Sequence, residues 1–294
     1  MHKYLRAIGF SRYKGRREER KLLQMIEENP TDTRMGIMEG ELHIMNTTEF
    51  GPGFGVKSMY YADDPDGEVL EYYFPYVNSD VVSTNRACEI ERHSSELSFS
   101  GSYDEAGMEL SVIFYLNNGV EMADYGNKNQ ELHIKGVSLT ALARSGKILL
   151  PLYKTNNDEN KSKATSQTRN RLLEAARNGD EKAMETLAMA DMSIIQNIQT
   201  RILKEDVYTM VDTCFMPYGM ESDAYLVIGE IQKASKVRNR VTGEECWQLV
   251  MDCNGIRMMV MLNAEDLLGD PQPGRRFKGE VWLQGRGIVA GMDS

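Results

Sequence analysis

Four short runs near the end of the chain set the strongest limit on what it can fold into: Tyr225–Ile231, Trp247–Cys253, Ile256–Leu262 and Phe277–Leu283. Each is rich in β-branched, aromatic or long apolar residues and is bounded by turn-forming or charged ones. The Asn254-Gly255 pair between the second and third is the signature of a two-residue hairpin. A basic loop holding Lys233, Lys236, Arg238 and Arg240 follows the first run, and a short helix is expected over Ala264–Leu268 before the fourth. That order fits a small oligonucleotide-binding-type (OB-like) barrel, a scaffold that holds extended polymers or peptides. Only eleven residues follow Leu283, so a fifth strand is confined to Ile288–Met292, and the sequence leaves open whether the barrel closes.

Alternation sorts the faces of these strands. Phe277, Val281 and Leu283 share one side, with Lys278, Glu280, Trp282 and Gln284 on the other. Trp247, Leu249, Met251 and Cys253 likewise oppose Gln248 and Asp252. The first set in each case belongs in the core, which puts Trp282 outside beside Lys278, Arg275 and Arg276. An outward aromatic flanked by cations suits stacking on a base with phosphate close by. The candidate ligand contacts are therefore Lys233, Lys236, Arg238, Arg240, Arg275, Arg276, Lys278 and Trp282. The competing reading packs Trp282 under the preceding helices and leaves the basic loop a solvated hairpin, offset by Glu230, Glu244, Glu245 and Asp252.

Charge bears on that choice. The chain carries a formal net charge of −10, which opposes nonspecific attraction to polyanions. Residues 222–294 account for −1 of it and the rest for −9, so any polyanion has to meet the C-terminal part. With 294 residues, 41% hydrophobic and 27% charged, the composition is that of a globular protein long enough for two domains. No run of about 20 apolar residues is present, and the first ten residues lack an apolar signal core. A cytoplasmic protein with no membrane partner is expected. Cys88, Cys214, Cys246 and Cys253 form no Cys-x-x-Cys pair and read as reduced thiols, with Cys246 and Cys253 on opposite faces of one strand.

Earlier in the chain, Tyr4, Leu5 and Ile8 share a helical face, and the charged run Lys14–Arg20 leads into Leu22, Leu23, Met25 and Ile26 before Asn29-Pro30. From Gly40 to Tyr153 short β-type runs take over: Glu41–Thr47, Lys57–Ala62, Glu68–Pro75, Glu96–Ser102, Glu109–Leu116, Glu131–Ser138 and Lys147–Leu152. Asp63-Asp64-Pro65-Asp66-Gly67 makes a hairpin turn, and Asn117-Asn118-Gly119 suggests another, returning through Val120–Tyr125. Thr155–Ser166 is polar and reads as a linker, after which the period turns helical through Leu172, Leu187 and Ile202. The expected fold class is α+β: an N-terminal, mostly antiparallel sheet domain with helices (1–154), a linker and helical connector (155–214) and the OB-like barrel (215–294).

Familiar catalytic motifs are missing. Arg144-Ser145-Gly146-Lys147 lacks the first glycine and the final hydroxyl of a phosphate loop, and Gly51-Pro52-Gly53-Phe54-Gly55 lacks dinucleotide spacing and reads as a mobile loop. The duplicated Glu-Leu-His-Ile at Glu41–Ile44 and Glu131–Ile134 would put Glu41 with His43, and Glu131 with His133, on one strand face each. Four such groups on adjacent strands could bind a divalent metal or do acid–base work, though a chance match of this length is common.

Three stretches are similar to an uncharacterised bacterial family of unknown function: His2–Phe10, Glu205–Tyr208 continuing through Phe215–Gly219, and Pro273–Gly285. The resemblance spans essentially the whole chain. It implies a bacterial cytoplasmic protein and brings no site residues and no cofactor. Two functions follow from the residues. The first is a non-enzymatic binding or adaptor protein whose barrel holds single-stranded nucleic acid or a protein segment. The alternative is an enzyme or metal-dependent sensor centred on Glu41, His43, Glu131 and His133.

Overall fold

A computed structural model describes residues 2–38, 41–63, 67–85, 88–92, 99–105, 110–122, 134–149, 182 and 213–289. The chain opens with a single 3-10 turn, Leu5–Ile8, ended by Gly9 at a φ of 88°. Helix α1 (Arg16–Glu28) follows, acidic in its first turn and burying Leu22 and Ile26 four residues apart. The strands are β1 (Asp32–Met38), β2 (Glu41–Gly51), β3 (Phe54–Asp63), β4 (Gly67–Val77), β5 (Glu89–Arg92), β6 (Phe99–Glu105), β7 (Leu110–Leu116), β8 (Ile134–Ala143) and β9 (Gly146–Leu149). After residue 212 come β10 (Cys214–Pro217), β11 (Ala224–Arg238), β12 (Glu245–Cys253), β13 (Ile256–Asn263), β14 (Leu267–Leu268) and β15 (Arg276–Val289). The described residues are predominantly β.

The Asn254-Gly255 corner forms as its residue types demand: both take positive φ, 56° and 87°, and join β12 to β13. Strands β1 to β4 make an antiparallel sheet in chain order. The remaining strands share a second, larger sheet, and part of its pairing returns to its starting point. Strand β11 pairs with β15 through Ala224–Glu230 and with β12 through Glu230–Arg238, the register shifting between Ile231 and Lys233. Strand β12 pairs with β13; β13 runs parallel to β8 at Met259–Met261; and β8 runs antiparallel to β15 through Leu283. Where β11 stops pairing, at Ala224 opposite Trp282, β7 takes over beside β15 at Gln284 and Gly285. The Tyr225 hydroxyl ties the two together, accepting from Ile113 N–H at 2.9 Å and donating to Ile113 C=O at 3.0 Å.

Several expectations change. The fifth strand is not Ile288–Met292: β15 continues unbroken to Val289, and the place beside it is filled by β8. The basic loop is largely strand, because β11 runs on to Arg238 opposite Glu245. The expected return strand Val120–Tyr125 begins instead as a helical turn over 119–122, with Met122 N–H bonded to Asn118 C=O. Gly51–Gly55 is a tight hairpin rather than a mobile loop, with Gly53 at a φ of 71°. Strand β1 carried no expectation. The helical connector lies outside the described residues. The expected boundary between residues 1–154 and 215–294 is one of chain order, since residues 1–149 and 213–294 make one compact unit through the pairings of β8.

Two apolar clusters explain that union. One gathers Phe277, Val281, Leu283, Leu249, Met251, Cys253, Val260 and Tyr225 with Leu139 and Ala141 of β8. The other packs the opposite faces of the same strands, through Trp282, Leu142, Met261 and Cys246, against Tyr4, Leu5, Ile8, Phe10, Leu22, Ile26, Phe54 and Phe74. The alternation expected for β12 and β15 is realised: Phe277, Val281 and Leu283 oppose Trp282, and Cys246 opposes Cys253. What alternation left open is that the second face is covered as well.

Candidate functional site

Burial of Trp282 removes the expected stacking platform. Its indole is 6% exposed. The ring of Tyr4 stacks on it at 5.4 Å and 22°, His2 lies 5.0 Å away and Tyr115 lies 5.2 Å away. Its Nε1–H donates to Asp223 Oδ2 at 2.7 Å. The cover is the N-terminal segment, not a preceding helix. Burial raises the Asp223 carboxyl above the usual range, with the indole hydrogen bond opposing that shift. Burial, and then the Lys3 charge, lower His2 to about 4.

The basic candidates divide between two places. Lys233, Lys236, Arg238 and Arg240 are exposed on and just beyond the far half of β11. Lys236 lies 5.0 Å over the Trp247 ring and 3.0 Å from Glu245, which also meets Arg238 at 3.2 Å. These two cations hold the Glu245 carboxylate below its usual range. On and before β15, Arg275 binds Asp270 through its carboxylate at 3.3 Å and its carbonyl at 2.7 Å. Arg276 is buried and Lys278 half-buried, on the outer face of β15 that also carries Trp282. Of the metal candidates, His43 is buried on β2 opposite Gly36 and Tyr61, while Glu131 and His133 lie outside the described residues, as does the Glu41 side chain. Among the described residues no three His, Cys, Asp or Glu side chains gather closely enough to hold a metal ion.

A different arrangement stands out beside the sealed indole. A cleft of about 660 Å³ is bordered by Lys3, Tyr4 and Arg6, by the bend between β8 and β9 (Arg144, Ser145), by the β10–β11 connection (Tyr218–Glu221) and by Glu280 and Val281 of β15. Its apolar contribution includes Tyr218, 45% exposed, and Met220, fully exposed. Lys3 is paired with Glu221 at 2.5 Å, and Arg6 holds Asp266 through two bonds of 2.5 and 2.7 Å. The Tyr4 hydroxyl is raised to about 12 by burial and then by Glu221 and Asp223, so it stays a protonated donor. The lining offers guanidinium, ammonium, carboxylate, hydroxyl and apolar groups together, which suits recognition of an amphipathic ligand carrying charge.

These residues come from four separated segments, so no local motif marks them. A signal was nevertheless present: the three stretches that resemble a bacterial family each border the cleft, through Lys3 and Tyr4, through Tyr218 and Gly219, and through Glu280 and Val281.

Fold and cleft together define a predominantly β protein in which the two ends of the described chain border one recessed surface. The chain belongs to the family described as "Domain of unknown function, E. rectale Gene description (DUF3881)", whose model matches residues 5–285. That family takes its description from a bacterium. No curated protein and no solved structure matches the chain. Among the described residues no helix is long and apolar enough to cross a membrane.

Proposed function

We propose that this chain is a non-enzymatic binding protein that holds a protein segment against the outside of an OB-like barrel. In this reading β11, β12, β13, β8 and β15 are the barrel strands, with β8 standing where the sequence left a fifth strand wanting. The parallel β13–β8 contact and the shared use of β11 by β12 and β15 support it. The observation that carries the function is the cleft beside β15, whose volume falls within the roughly 300–1,000 Å³ of ligand sites and whose lining mixes both charges with exposed Tyr218 and Met220.

A protein segment is favoured over single-stranded nucleic acid on three counts. The net charge is −10, Lys236, Arg238 and Arg275 already face carboxylates, and the tryptophan that would stack on a base is engaged with Tyr4 and Asp223. The test is binding of labelled single-stranded oligonucleotides across a salt series, beside an array of short peptides probed with the full chain. Peptides are expected to bind in the micromolar range and to lose at least tenfold in Met220→Asp. Oligonucleotide binding that is tighter than peptide binding and weakens with salt would overturn the proposal.

A further inference from the structure

The far half of β11 leaves one of its edges open. Beyond Glu230 its sheet neighbour is β12, and Asn239 N–H donates to Glu244 C=O at 2.9 Å, which fixes Lys233, Ser235 and Val237 as the residues bonded to β12. The amides and carbonyls of Ala234, Lys236 and Arg238 therefore point the other way. Two closures on that side agree with this parity. Before the bulge, Ile231 N–H donates to Arg275 C=O and Ile231 C=O accepts from Gly274 N–H, both at 2.8 Å; at the far end, Arg240 N–H donates to Phe50 C=O at 2.8 Å. Between the closures lies a slot from Ala234 to Arg238, about 13 Å long at roughly 3.3 Å per residue. Among the described residues nothing bonds to the outward groups of Ala234 and Lys236 or to the Arg238 N–H. A Cβ on Gly51 would lie 3.1 Å from the Arg238 carbonyl oxygen, so the β2–β3 hairpin stops the slot there.

An edge of this kind takes an extended chain through main-chain bonds at every second residue. Side chains decide which chain. Ala234, Lys236 and Arg238 share one face of β11; Ala234 packs against the core, while Lys236 and Arg238 are exposed. These two cations share the single Glu245 carboxylate, at 3.0 and 3.2 Å, so the group keeps an uncompensated positive charge. A second copy of this chain does not fit. Twofold antiparallel pairing about Lys236 would set that residue directly against its own copy, with Arg238 on the diagonal, and like charges so placed are destabilising. Cations guard an edge against self-pairing, and the same charges favour a strand that brings carboxylates.

We infer that the open edge of β11 takes an extended acidic segment of another protein as an added strand, its carboxylates at alternate positions beside Lys236 and Arg238 and a small or apolar residue beside Ala234. This goes beyond the cleft, which meets β11 at its other end through Ala224. The main chain supplies the hold and the cations the choice of partner.

The test uses the full chain and labelled seven-residue peptides of alternating valine and glutamate, their valine–glutamine counterparts, and valine–glutamate peptides N-methylated at every second amide in one phase or the other. Binding is read by fluorescence anisotropy and by amide hydrogen exchange of the protein. The glutamate peptide is expected to bind at least tenfold more tightly than the glutamine one, and N-methylation should cost at least tenfold in one phase only. In the free chain the Lys236 and Arg238 amides should exchange at least tenfold faster than those of Ser235 and Val237, and should slow at least tenfold when the glutamate peptide binds. Ala234→Pro removes an outward N–H and no bond to β12, so it should weaken binding at least tenfold; the N-methyl phases and the exchange rates give the same reading on the unaltered chain. Slow exchange of Lys236 and Arg238 in the free chain, equal binding of glutamate and glutamine peptides, or no peptide binding would overturn the inference. So would glutamate-peptide binding that leaves those amides unprotected, which marks a surface ion pair, or that is lost in Met220→Asp and kept in Ala234→Pro, which assigns the peptide to the cleft.

Discussion

Replacing Trp282 by phenylalanine keeps most of a buried ring and deletes one donor, which makes it a sharp probe of what this residue is for. The indole N–H reaches Asp223 at 2.7 Å, and a hydrogen bond to a charged partner is worth about 1.5–3 kcal/mol. The phenyl ring preserves part of the contacts with Tyr4 and Tyr115, so the expected loss is about 2–3 kcal/mol. Trp282→Ala also leaves a cavity among Tyr4, Tyr115 and Leu142 and should lose about 4–5 kcal/mol. For a unit of this size each kcal/mol lowers the melting temperature by about 2–4 °C, so the phenylalanine variant should melt roughly 4–12 °C below the native chain. Calorimetry or circular dichroism reads this directly, with Trp247→Phe as the control for a half-buried indole. If Trp282→Phe and Trp282→Ala melt like the native chain and lose only ligand binding, the indole is a platform and the reasoning fails.

Lys57 is 5% exposed, donates to Asn117 C=O at 2.7 Å and is lowered to about 8 by burial, partly offset by Glu121. Because its folded value lies below the ordinary 10.5, the unfolded chain binds more protons between these limits, so stability should rise from pH 8 to 10.5. Lys57→Met should remove that rise in denaturant titrations, and a rise of unchanged size in the variant would refute the assignment. Burial raises the thiols of Cys246 and Cys253 to about 12, so both should react with a disulfide reagent only on unfolding. Fast labelling of either in the native chain would contradict their placement. A Cβ at Gly55 would sit 2.0 Å from the Thr48 carbonyl oxygen, so Gly55→Ala should cost more than about 2 kcal/mol by forcing β2 and β3 apart. A native-like melt would show that the hairpin yields.

Period-2 alternation was enough to find most strands and to sort Phe277, Val281 and Leu283 from Trp282, because a strand shows its two faces in its own residues. It could not say what covers each face. Trp282 reads as outward from β15 alone, and only the packing of Tyr4, more than 270 positions away in sequence, makes that face interior. The same limit hid the role of β8. Its run reads as a strand, yet nothing local tells a strand at Ile134–Ala143 that its neighbours are Met259–Met261 and Leu283–Val289. Lys233–Arg240 reads as a loop because four cations are poor strand formers in the abstract. Pairing of Lys236 with Trp247 and of Arg238 with Glu245 overrides that preference. The cleft was illegible for a related reason: Lys3, Arg144, Tyr218 and Glu280 become neighbours only after both ends of the chain are in place.

The central structural claim, that β8 belongs to the same hydrogen-bonded ring as β11, β12, β13 and β15, is tested most directly by native-state amide hydrogen exchange on the full chain. The amides of Leu139–Leu142 should open with the same free energy and the same denaturant dependence as those of Val260 and Leu283, as members of one cooperative unit. Exchange of Leu139–Leu142 at a much lower free energy, while Val260 and Leu283 stay protected, would mean that the C-terminal strands stand without β8 and would contradict the account.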